Sequence, residues 1–274
     1  MKRYSSITIV FLVVLASYGF TNPQACDIFN RVVVTGASVS SGWGVTTPPI
    51  KGDLGAYRIT MKHIVEGMIE CPHEKVVFFG GTAFFQNTRE NGKAYIEKII
   101  EHKPTLVIGI DFLFWFGHGT PPEQCDIPTY RMEKLNYALG LLDELKAPVI
   151  VGDLPDVSDA IGKLLSASQA PTAETLEKLN ARIHQWGDSR SNVRVVDVYE
   201  LGNKMTNDEE ITILDHTWSA GSQQKLLQND MLHTTLEGTV VVSLLIAEVL
   251  DLDCIETDPK VIMDNAASNA RLDK

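Results

Sequence analysis

The sequence has few basic residues relative to acidic ones. It carries 24 Lys and Arg against 35 Asp and Glu in 274 residues, a formal net charge of -11 with histidine neutral. Proteins that bind nucleic acid gather Lys and Arg along one face or helix, and no such cluster occurs here. The composition therefore argues against a nucleic-acid partner. The excess of acidic residues favours solubility but does not indicate which substrate the protein takes.

Cysteine is also scarce, and no two cysteines form a C-x-x-C pair. The four are Cys26, Cys71, Cys125 and Cys254. This wide spacing argues against a zinc site built from thiolates. In an oxidising compartment one or two disulfides are expected, and the sequence does not choose among the three full pairings that four cysteines allow.

An apolar run long enough to span a bilayer is missing as well. The run Ile7–Phe20 follows Lys2 and Arg3 and falls short of the roughly 20 residues that a membrane-spanning helix needs. A positive end, a short apolar core and a small residue before the mature chain predict a signal peptide, taken here as residues 1–25, with cleavage near Gly19 or Ala25. We therefore expect an exported protein, periplasmic or extracellular, that is not stably inserted in a membrane after signal removal. An uncleaved anchor is the alternative, and a lipid on Cys26 is disfavoured by the residues before it.

Internal repeats, low-complexity tracts and long linkers are absent, so a single domain over residues 26–274 is expected. Short β-branched runs alternate instead with stretches of helical periodicity. The predicted strands are Val32–Thr35, Val76–Phe79, Leu106–Ile110, Pro148–Val151 and Val193–Val198. The first four are almost continuously apolar, as strands buried on both faces are, and the fifth is more polar and suits a place nearer the edge.

The predicted helices lie between and after these strands. They cover Ala56–Glu70, Arg89–His102, Tyr130–Leu145, Thr172–Trp186 and Leu236–Leu250. This alternation predicts an α/β protein, a flavodoxin-like three-layer α/β/α sandwich around a five-stranded parallel sheet. Functional residues of such sheets collect beyond the carboxyl ends of the strands.

A serine directly follows the first predicted strand, in the segment Gly36-Ala37-Ser38-Val39-Ser40. A hydroxyl on a tight turn at that edge is exposed, and neighbouring N–H groups can face a developing oxyanion. The alternative interpretation is an ordinary structural turn.

An Asp-x-x-His segment, Asp230 to His233, precedes the last predicted helix. Serine is a poor nucleophile unless a base takes its proton, and histidine suits that role near neutral pH. A carboxylate three residues earlier can hold Nδ1–H and leave Nε2 facing the serine. A solvated surface pair is the alternative, but the combination with Ser38 is far more specific than either segment alone.

These two segments resemble the first and last sequence blocks of the SGNH hydrolases, the GDSL-like lipases and esterases. Phe79-Gly80-Gly81-Thr82 resembles the glycine block of that family, and the resemblance extends over roughly Val32 to Leu250. It implies a serine hydrolase that cleaves carboxylic esters of lipid, short-chain acyl or acetylated carbohydrate type through an acyl-enzyme. The implied triad is Ser38, His233 and Asp230, without metal or organic cofactor, and the oligomeric state stays open.

The resemblance also implies an oxyanion hole formed by Ser38, Gly81 and Asp111, with Gly80 as the alternative to Gly81. Asp111 departs from the family pattern, because an asparagine donor is usual at that place. An ionised carboxylate has no proton to donate, and losing one oxyanion donor typically costs about 10²–10³ in rate. Burial among the aromatic residues that follow would raise its pKa and could keep it protonated. The alternative function is a catalytically weakened protein that binds a carbohydrate or a partner on the same fold.

A remoter alternative is a short-chain dehydrogenase-like oxidoreductase. Tyr130 and Lys134 satisfy the Y-x-x-x-K pattern of that family, and Thr35-Gly36-Ala37-Ser38 resembles its nucleotide loop. The glycine spacing of the loop fails at Ser40, where close approach of a pyrophosphate needs a glycine.

Overall fold

The computed structural model describes residues 26–52 and 55–273. The predicted signal peptide at 1–25 lies outside the described residues. Within them, no helix has both the length and the apolar character needed to cross a membrane.

Five strands form one parallel sheet in the order β2-β1-β3-β4-β5, and a separate antiparallel hairpin pairs β6 with β7. The strands are β1 (Val32–Gly36), β2 (Val77–Gly80), β3 (Leu106–Gly109), β4 (Val149–Gly152), β5 (Val193–Val196), β6 (Ile211–Ile213) and β7 (His216–Trp218). The predicted fold class and all five predicted strands are confirmed, and β5 lies at an edge of the sheet as its polarity indicated.

Nine α-helices accompany these strands in the described part of the chain. They are α1 (Met61–Met68), α2 (Thr88–His102), α3 (Phe114–Gly117), α4 (Ile127–Leu142), α5 (Ala173–Asp188), α6 (Val198–Thr206), α7 (Gln223–Leu226), α8 (Leu236–Leu250) and α9 (Pro259–Leu272). The five predicted helices are all present, and α8 has the predicted bounds.

Capping residues account for two displaced helix starts. α1 begins five residues after the predicted start, because the backbone N–H of Thr60 donates to Nδ1 of His63 and closes a capping box there. α4 begins three residues before its predicted start, because the Asp126 carboxylate accepts from the N–H of Thr129 at 3.2 Å.

Two hydrophobic clusters lie on opposite faces of the sheet and define the three layers. Val32 and Val34 point to the cluster that includes α1, α6, α8 and α9, whereas Val33 points to the one that includes α2, α3, α4 and α5. This alternation follows from the two-residue period of a strand, and burial on both faces accounts for the apolar character of β1, β3 and β4. β2 was also expected to be buried on both faces, but it lies at the other edge of the sheet and is only partly buried.

The structure selects one disulfide, between Cys26 and Cys71, and leaves Cys125 and Cys254 as free thiols. The sulfur of Cys26 is thereby bonded to another cysteine and is not available for lipid modification. The disulfide ties the start of the described chain to the segment between α1 and β2.

Candidate active site

Ser38 lies on the turn that follows β1, at the carboxyl edge of the sheet. The turn is closed by hydrogen bonds from the N–H of Ser41 to Ala37 O and from the N–H of Trp43 to Ser38 O, both 3.0 Å. Within residues 26–52 and 55–273, neither the hydroxyl nor the N–H of Ser38 has a hydrogen-bond partner. Both groups are thus free to meet a substrate.

The carboxylate of Asp111 lies behind this turn and organises it. It accepts hydrogen bonds from the N–H groups of Ala37 (3.0 Å), Val39 (2.9 Å) and Ser40 (3.2 Å), and from the Ser40 hydroxyl. Gly36 permits this approach, because a Cβ built there would lie 2.0 Å from Asp111 Oδ1. The aspartate therefore shapes the backbone on both sides of Ser38.

This arrangement corrects the role expected of Asp111. Burial raises the pKa of its carboxyl, and the hydrogen bonds from Ser40, Ala37 and Val39 oppose that shift without cancelling it. Both oxygens are turned toward donors of the turn, so the side chain is placed as an acceptor and not as an oxyanion donor.

Gly81, the second residue expected in the oxyanion hole, is also engaged elsewhere. Its N–H donates to Gly36 O at 3.1 Å, where β2 runs beside β1. The next residue, Thr82, faces the groove described below, and neither its hydroxyl nor its N–H has a hydrogen-bond partner in the described part of the chain. Thr82 belongs to the glycine block Phe79-Gly80-Gly81-Thr82, but no sequence pattern distinguishes it as a site residue.

The Asp230-x-x-His233 segment forms a tight turn before α8. The carboxylate of Asp230 accepts from Nδ1 of His233 at 2.8 Å, and also from the N–H groups of Leu232 (3.0 Å) and His233 (2.9 Å). Met231 closes the turn in the left-handed region, with φ of 58°. The histidine ring is thereby fixed with Nε2 directed away from its carboxylate.

The charge state of Asp230 suits a partner of histidine. Burial acts to raise the pKa of this carboxyl, but the hydrogen bonds from the His233 backbone, the His233 ring and the Leu232 N–H outweigh it and leave the pKa lowered. Trp43 stacks on the His233 ring with centroids 5.5 Å apart. An ionised, hydrogen-bonded carboxylate can stabilise an imidazolium.

Gln228 joins the serine turn to the histidine turn, and sequence reasoning missed it. Its side-chain amide donates to Trp43 O at 2.7 Å and to Thr234 O at 2.8 Å, and its N–H donates to His233 O at 2.8 Å. No local pattern marks this glutamine, because the partner that links it to the serine turn, Trp43 O, lies 185 positions away along the chain.

Ser38 and His233 line one groove, which we call the Ser38 groove, with a volume of about 240 Å³. The structure thus brings the predicted nucleophile and base to the same concave surface. No hydrogen bond joins Ser38 Oγ to His233 Nε2 among the described residues. The walls are largely apolar and include Trp43, Thr82, Phe85, Trp115, Leu164 and Leu232.

A second, apolar space, which we call the inner cavity, opens beside Ser38 on the side of α6 and has a volume of about 80 Å³. Its lining includes Phe114, Val198, Leu201, Met205 and Val242. Phe114 comes from the aromatic run after β3, whose neighbours Phe112 and Phe116 are fully buried core residues. A small apolar space next to a serine suits a short acyl chain.

Two clusters in the described residues have the composition of metal ligands. In the first, Nε2 of His184 lies 3.2 Å from Asp153 Oδ2 and 3.4 Å from Asp197 Oδ1, distances at which the imidazole and the carboxylates pair directly. The second consists of the disulfide cysteines Cys26 and Cys71 with Cys254, so two of its sulfurs are bonded to each other. Neither cluster lies on the Ser38 groove.

Tyr130 and Lys134, the pair of the dehydrogenase-like alternative, lie on α4 and line a different cavity. Nζ of Lys134 donates to the carbonyls of Trp115 and His118. Neither residue lines the Ser38 groove, so the structure does not bring them to the turn after β1.

The comparisons with known proteins show which fold the chain has, but they assign it to no family. No protein family matches the sequence, and no curated protein matches it either. Among solved structures, a gut microbial diltiazem-metabolizing enzyme is 12% identical with a TM-score of 0.51 over 81% of this chain and 47% of its own, so the chain spans about half the length of that enzyme.

Two shorter structures are matched over most of their length. A mutant of an acetyl-xylooligosaccharide esterase from Geobacillus stearothermophilus is 15% identical, with a TM-score of 0.51 over 84% of this chain and 97% of its own. A proposed acylhydrolase from Bacteroides fragilis is 16% identical, with a TM-score of 0.50 over 81% and 86%. At these identities the likeness shows that the chain shares their fold.

Proposed function

We propose that this protein is a serine ester hydrolase of the SGNH type, with Ser38 as nucleophile, His233 as general base and Asp230 as the carboxylate that orients the imidazole. The observation that carries the proposal is the shared Ser38 groove, in which a serine with a free hydroxyl meets a histidine held at Nδ1 by a carboxylate at 2.8 Å. The esterase and acylhydrolase named among the structural neighbours have the same fold and so support this reaction class.

The reaction runs in two halves. Nε2 of His233 takes the Ser38 proton as Oγ attacks the ester carbonyl, and the imidazolium then protonates the departing alcohol to leave an acyl-enzyme. A water, deprotonated by the same nitrogen, attacks the acyl carbonyl and the bond between the acyl group and Ser38 Oγ breaks. The imidazolium returns its proton to Oγ as the acid leaves. Substrate binding shortens the path from Oγ to Nε2, because catalytic hydrogen bonds tighten in the Michaelis complex.

The oxyanion is assigned to the N–H of Ser38 and to Thr82. These donors are free and border the groove, whereas the N–H of Gly81 and the carboxyl of Asp111 have other partners. Thr82→Val removes the hydroxyl and keeps the size of the side chain. If the hydroxyl donates, kcat falls about 10²–10³-fold with little change in KM. An unchanged kcat would assign the donor to the backbone N–H.

The test of the proposal is hydrolysis of a p-nitrophenyl ester series, from acetate to octanoate, by the wild type and by Ser38→Ala. We expect activity that favours short acyl chains, because the inner cavity is small, and a loss of at least about 10³-fold in Ser38→Ala. Ser41→Ala is the matched control, because Ser41 Oγ donates to Ala37 O behind the turn. Activity that survives Ser38→Ala would remove Ser38 from the mechanism.

A second candidate is a binding protein on the same fold. It is favoured by one observation, namely that two of the three residues expected to form the oxyanion hole are engaged elsewhere. It predicts that no ester in the series is hydrolysed while the groove still binds an ester or glycan.

The export of the protein also belongs to the proposal. Residues 1–25 would be removed, which leaves a single domain over residues 26–274. The N-terminal sequence of the mature protein tests this.

A further inference from the structure

A second cavity adjoins the Ser38 groove, and we call it the polar cavity. It has a volume of about 320 Å³ and shares Phe85, Trp115 and Gln169 with the groove, so a ligand seated against Ser38 can extend into it. Unlike the groove, it is lined mainly by polar side chains, among them Asn87, Thr88, Arg89, Thr120, Tyr130 and Lys134.

Lys134 is a buried cation without a counter-ion. Its side chain lines the polar cavity although the residue is only 9% exposed. Nζ donates to Trp115 O at 2.6 Å and to His118 O at 3.2 Å, and it lies 5.8 Å from the centroid of the Tyr130 ring. One of its three protons therefore has no hydrogen-bond partner. In the described part of the chain no carboxylate forms an ion pair with it.

The surroundings of this ammonium are positive. Burial, followed by the charges of Arg131 and Arg89, lowers the pKa of Lys134 to about 8, and no acidic group counters that shift. A cation held in such a place costs free energy unless an anion pairs with it. The feature therefore points to a ligand that brings the missing charge.

Arg89 supplies a second positive charge at the same cavity. Its guanidinium lies 4.2 Å from the centroid of the Tyr137 ring and pairs with no carboxylate among the described residues. It belongs to the first turn of α2, where the side chain of Asn87 makes no capping hydrogen bond, so backbone N–H groups there are also available to an anion. Glu90 is the acidic residue of the lining, which leaves an excess of one positive charge.

We propose that the polar cavity is a subsite for one carboxylate of the substrate, carried on a sugar-acid unit attached to the ester that lies in the Ser38 groove. A single excess positive charge matches a carboxylate better than a doubly charged phosphate monoester. The amide and hydroxyl groups of Asn87, Thr120 and Gln169 suit sugar hydroxyls, and the exposed ring of Phe85 borders both spaces. The identity of the substrate rests on the proposed esterase function, whereas binding of the carboxylate does not.

The net charge of -11 makes this local arrangement necessary for an acidic substrate. The long-range field of the protein repels anions, so affinity for a carboxylate has to come from cations placed within contact distance. A neutral ester needs neither Lys134 nor Arg89.

The test measures binding to the full chain carrying Ser38→Ala, which removes turnover. Trigalacturonate and its fully methyl-esterified, uncharged form are compared by isothermal titration calorimetry. We expect the acid to bind about tenfold more tightly than the ester, because hydrogen bonds to charged groups are about twice as strong as neutral ones. The preference should shrink as salt rises from 50 to 500 mM.

Three substitutions locate the effect. Arg89→Gln and Lys134→Met should each abolish most of the preference for the acid. Lys98→Gln removes an exposed charge from the same helix outside the polar cavity and should keep both the preference and the ester hydrolysis of an otherwise wild-type chain. Lys134 donates hydrogen bonds to two backbone carbonyls, and Lys134→Met removes both. If that variant does not fold, the result for Arg89→Gln decides whether the subsite exists.

Equal binding of acid and ester, or no binding of either, would overturn the subsite. A preference for the acid that Arg89→Gln leaves intact would also overturn it. The proposed esterase function fails separately: a preference for the acid, together with a wild type that hydrolyses no ester, would keep the subsite and reject the esterase.

Discussion

At the scale of single residues, the hydrogen bonds of Asp111 differ most from those that its expected oxyanion role requires. Its position after β3 suggested an oxyanion group, but the hydrogen bonds make it the organiser of the Ser38 turn. An acceptor suits this place because three backbone N–H groups converge on it, and unpaired buried N–H groups are costly.

Asp111→Asn, which introduces the residue type usual in SGNH hydrolases, should therefore destabilise this protein. In either orientation the amide NH₂ replaces an oxygen that accepts from the N–H of Ala37 or from those of Val39 and Ser40. At least one buried donor loses its partner, which costs about 1–3 kcal/mol. Chemical denaturation measures the loss of stability.

We expect kcat/KM of Asp111→Asn to fall by up to about 10²-fold, because a displaced turn misplaces Ser38. Asp188→Asn, the same change at an exposed position, should alter neither quantity. A variant at Asp111 as stable and as active as the wild type would show that the carboxylate is dispensable for the turn.

At the scale of elements, Asp153 joins the end of β4 to two helices. Its carboxylate accepts from the N–H of Tyr199 in α6 at 2.7 Å and pairs with Nε2 of His184 in α5 at 3.2 Å. Burial raises the pKa of Asp153 to about 6, with Asp197 adding to the shift and the hydrogen bonds opposing it. The junction is therefore sensitive to pH.

The direction in which stability changes with pH follows from the pKa of Asp153 in the folded and in the unfolded protein. The pKa of an unfolded aspartate is about 3.9, so between pH of about 4 and about 6 the folded protein holds a proton that the unfolded chain has released. The stability due to Asp153 is full below about pH 4 and is lost as the pH rises through about 6, by about 3 kcal/mol at most.

Urea denaturation at pH 4.5 and pH 7 measures this difference. Asp153→Asn should remove that part of the decrease in stability, because an amide does not titrate in this range. Asp197→Asn, at an exposed carboxylate beside the same histidine, should keep most of it. An equal decrease in the wild type and in Asp153→Asn would contradict the assignment.

Two of the features that the sequence did not predict, α9 and the β6–β7 hairpin, each have a physical reason. α9 contains three Ala and two Asn, and beyond Ile262 its buried face consists only of Ala266, Ala267 and Ala270, so its hydrophobic face is small. It forms because it packs on α1, with the Asn265 side chain donating to Gly67 O at 3.0 Å and Asn269 donating to His63 O at 3.3 Å. The β6–β7 hairpin is only three residues deep on each side, too short for its periodicity to stand out.

At the scale of the whole molecule, the candidate site residues and Asp153 lie at the carboxyl ends of the parallel strands. Ser38 follows β1, Thr82 follows β2, Asp111 follows β3 and Asp153 follows β4. The crossover topology accounts for this convergence, because parallel strands end at one edge of the sheet and their loops meet there. His233 reaches the same edge from the turn before α8.

The Cys26–Cys71 disulfide is the covalent constraint on this assembly. It closes a loop with a sequence separation of 45 that contains β1, the Ser38 turn and α1. The chain-entropy relation gives about 4 kcal/mol for such a loop. The double variant Cys26→Ala with Cys71→Ala, which leaves Cys254 no partner nearby, should lose roughly that much in guanidinium denaturation.

The wild type should lose the same stability under reducing conditions. Cys125→Ala, which removes a free thiol, is the control and should behave as the wild type does. Equal midpoints for the reduced and oxidised wild type would show that the disulfide does not stabilise the fold.

The sequence alone determined the features that depend on local pattern. Apolar runs and helical periodicity predicted the five strands, their layers and the α/β class, because burial on two faces demands that composition. The serine after β1 and the Asp-x-x-His turn could be recognised for the same reason, since each is a short contiguous segment. Their chemical roles stay predictions until the ester assays are made.

Only the tertiary structure decided how distant side chains face one another. It turned Asp111 toward the N–H groups of the Ser38 turn, paired Cys26 with Cys71, placed Gln228 between two turns, and put Lys134 beside Arg89. Side-chain direction and pairing of this kind depend on contacts between segments far apart along the chain. No window of sequence contains those contacts, because they exist only once the sheet and its helices are assembled.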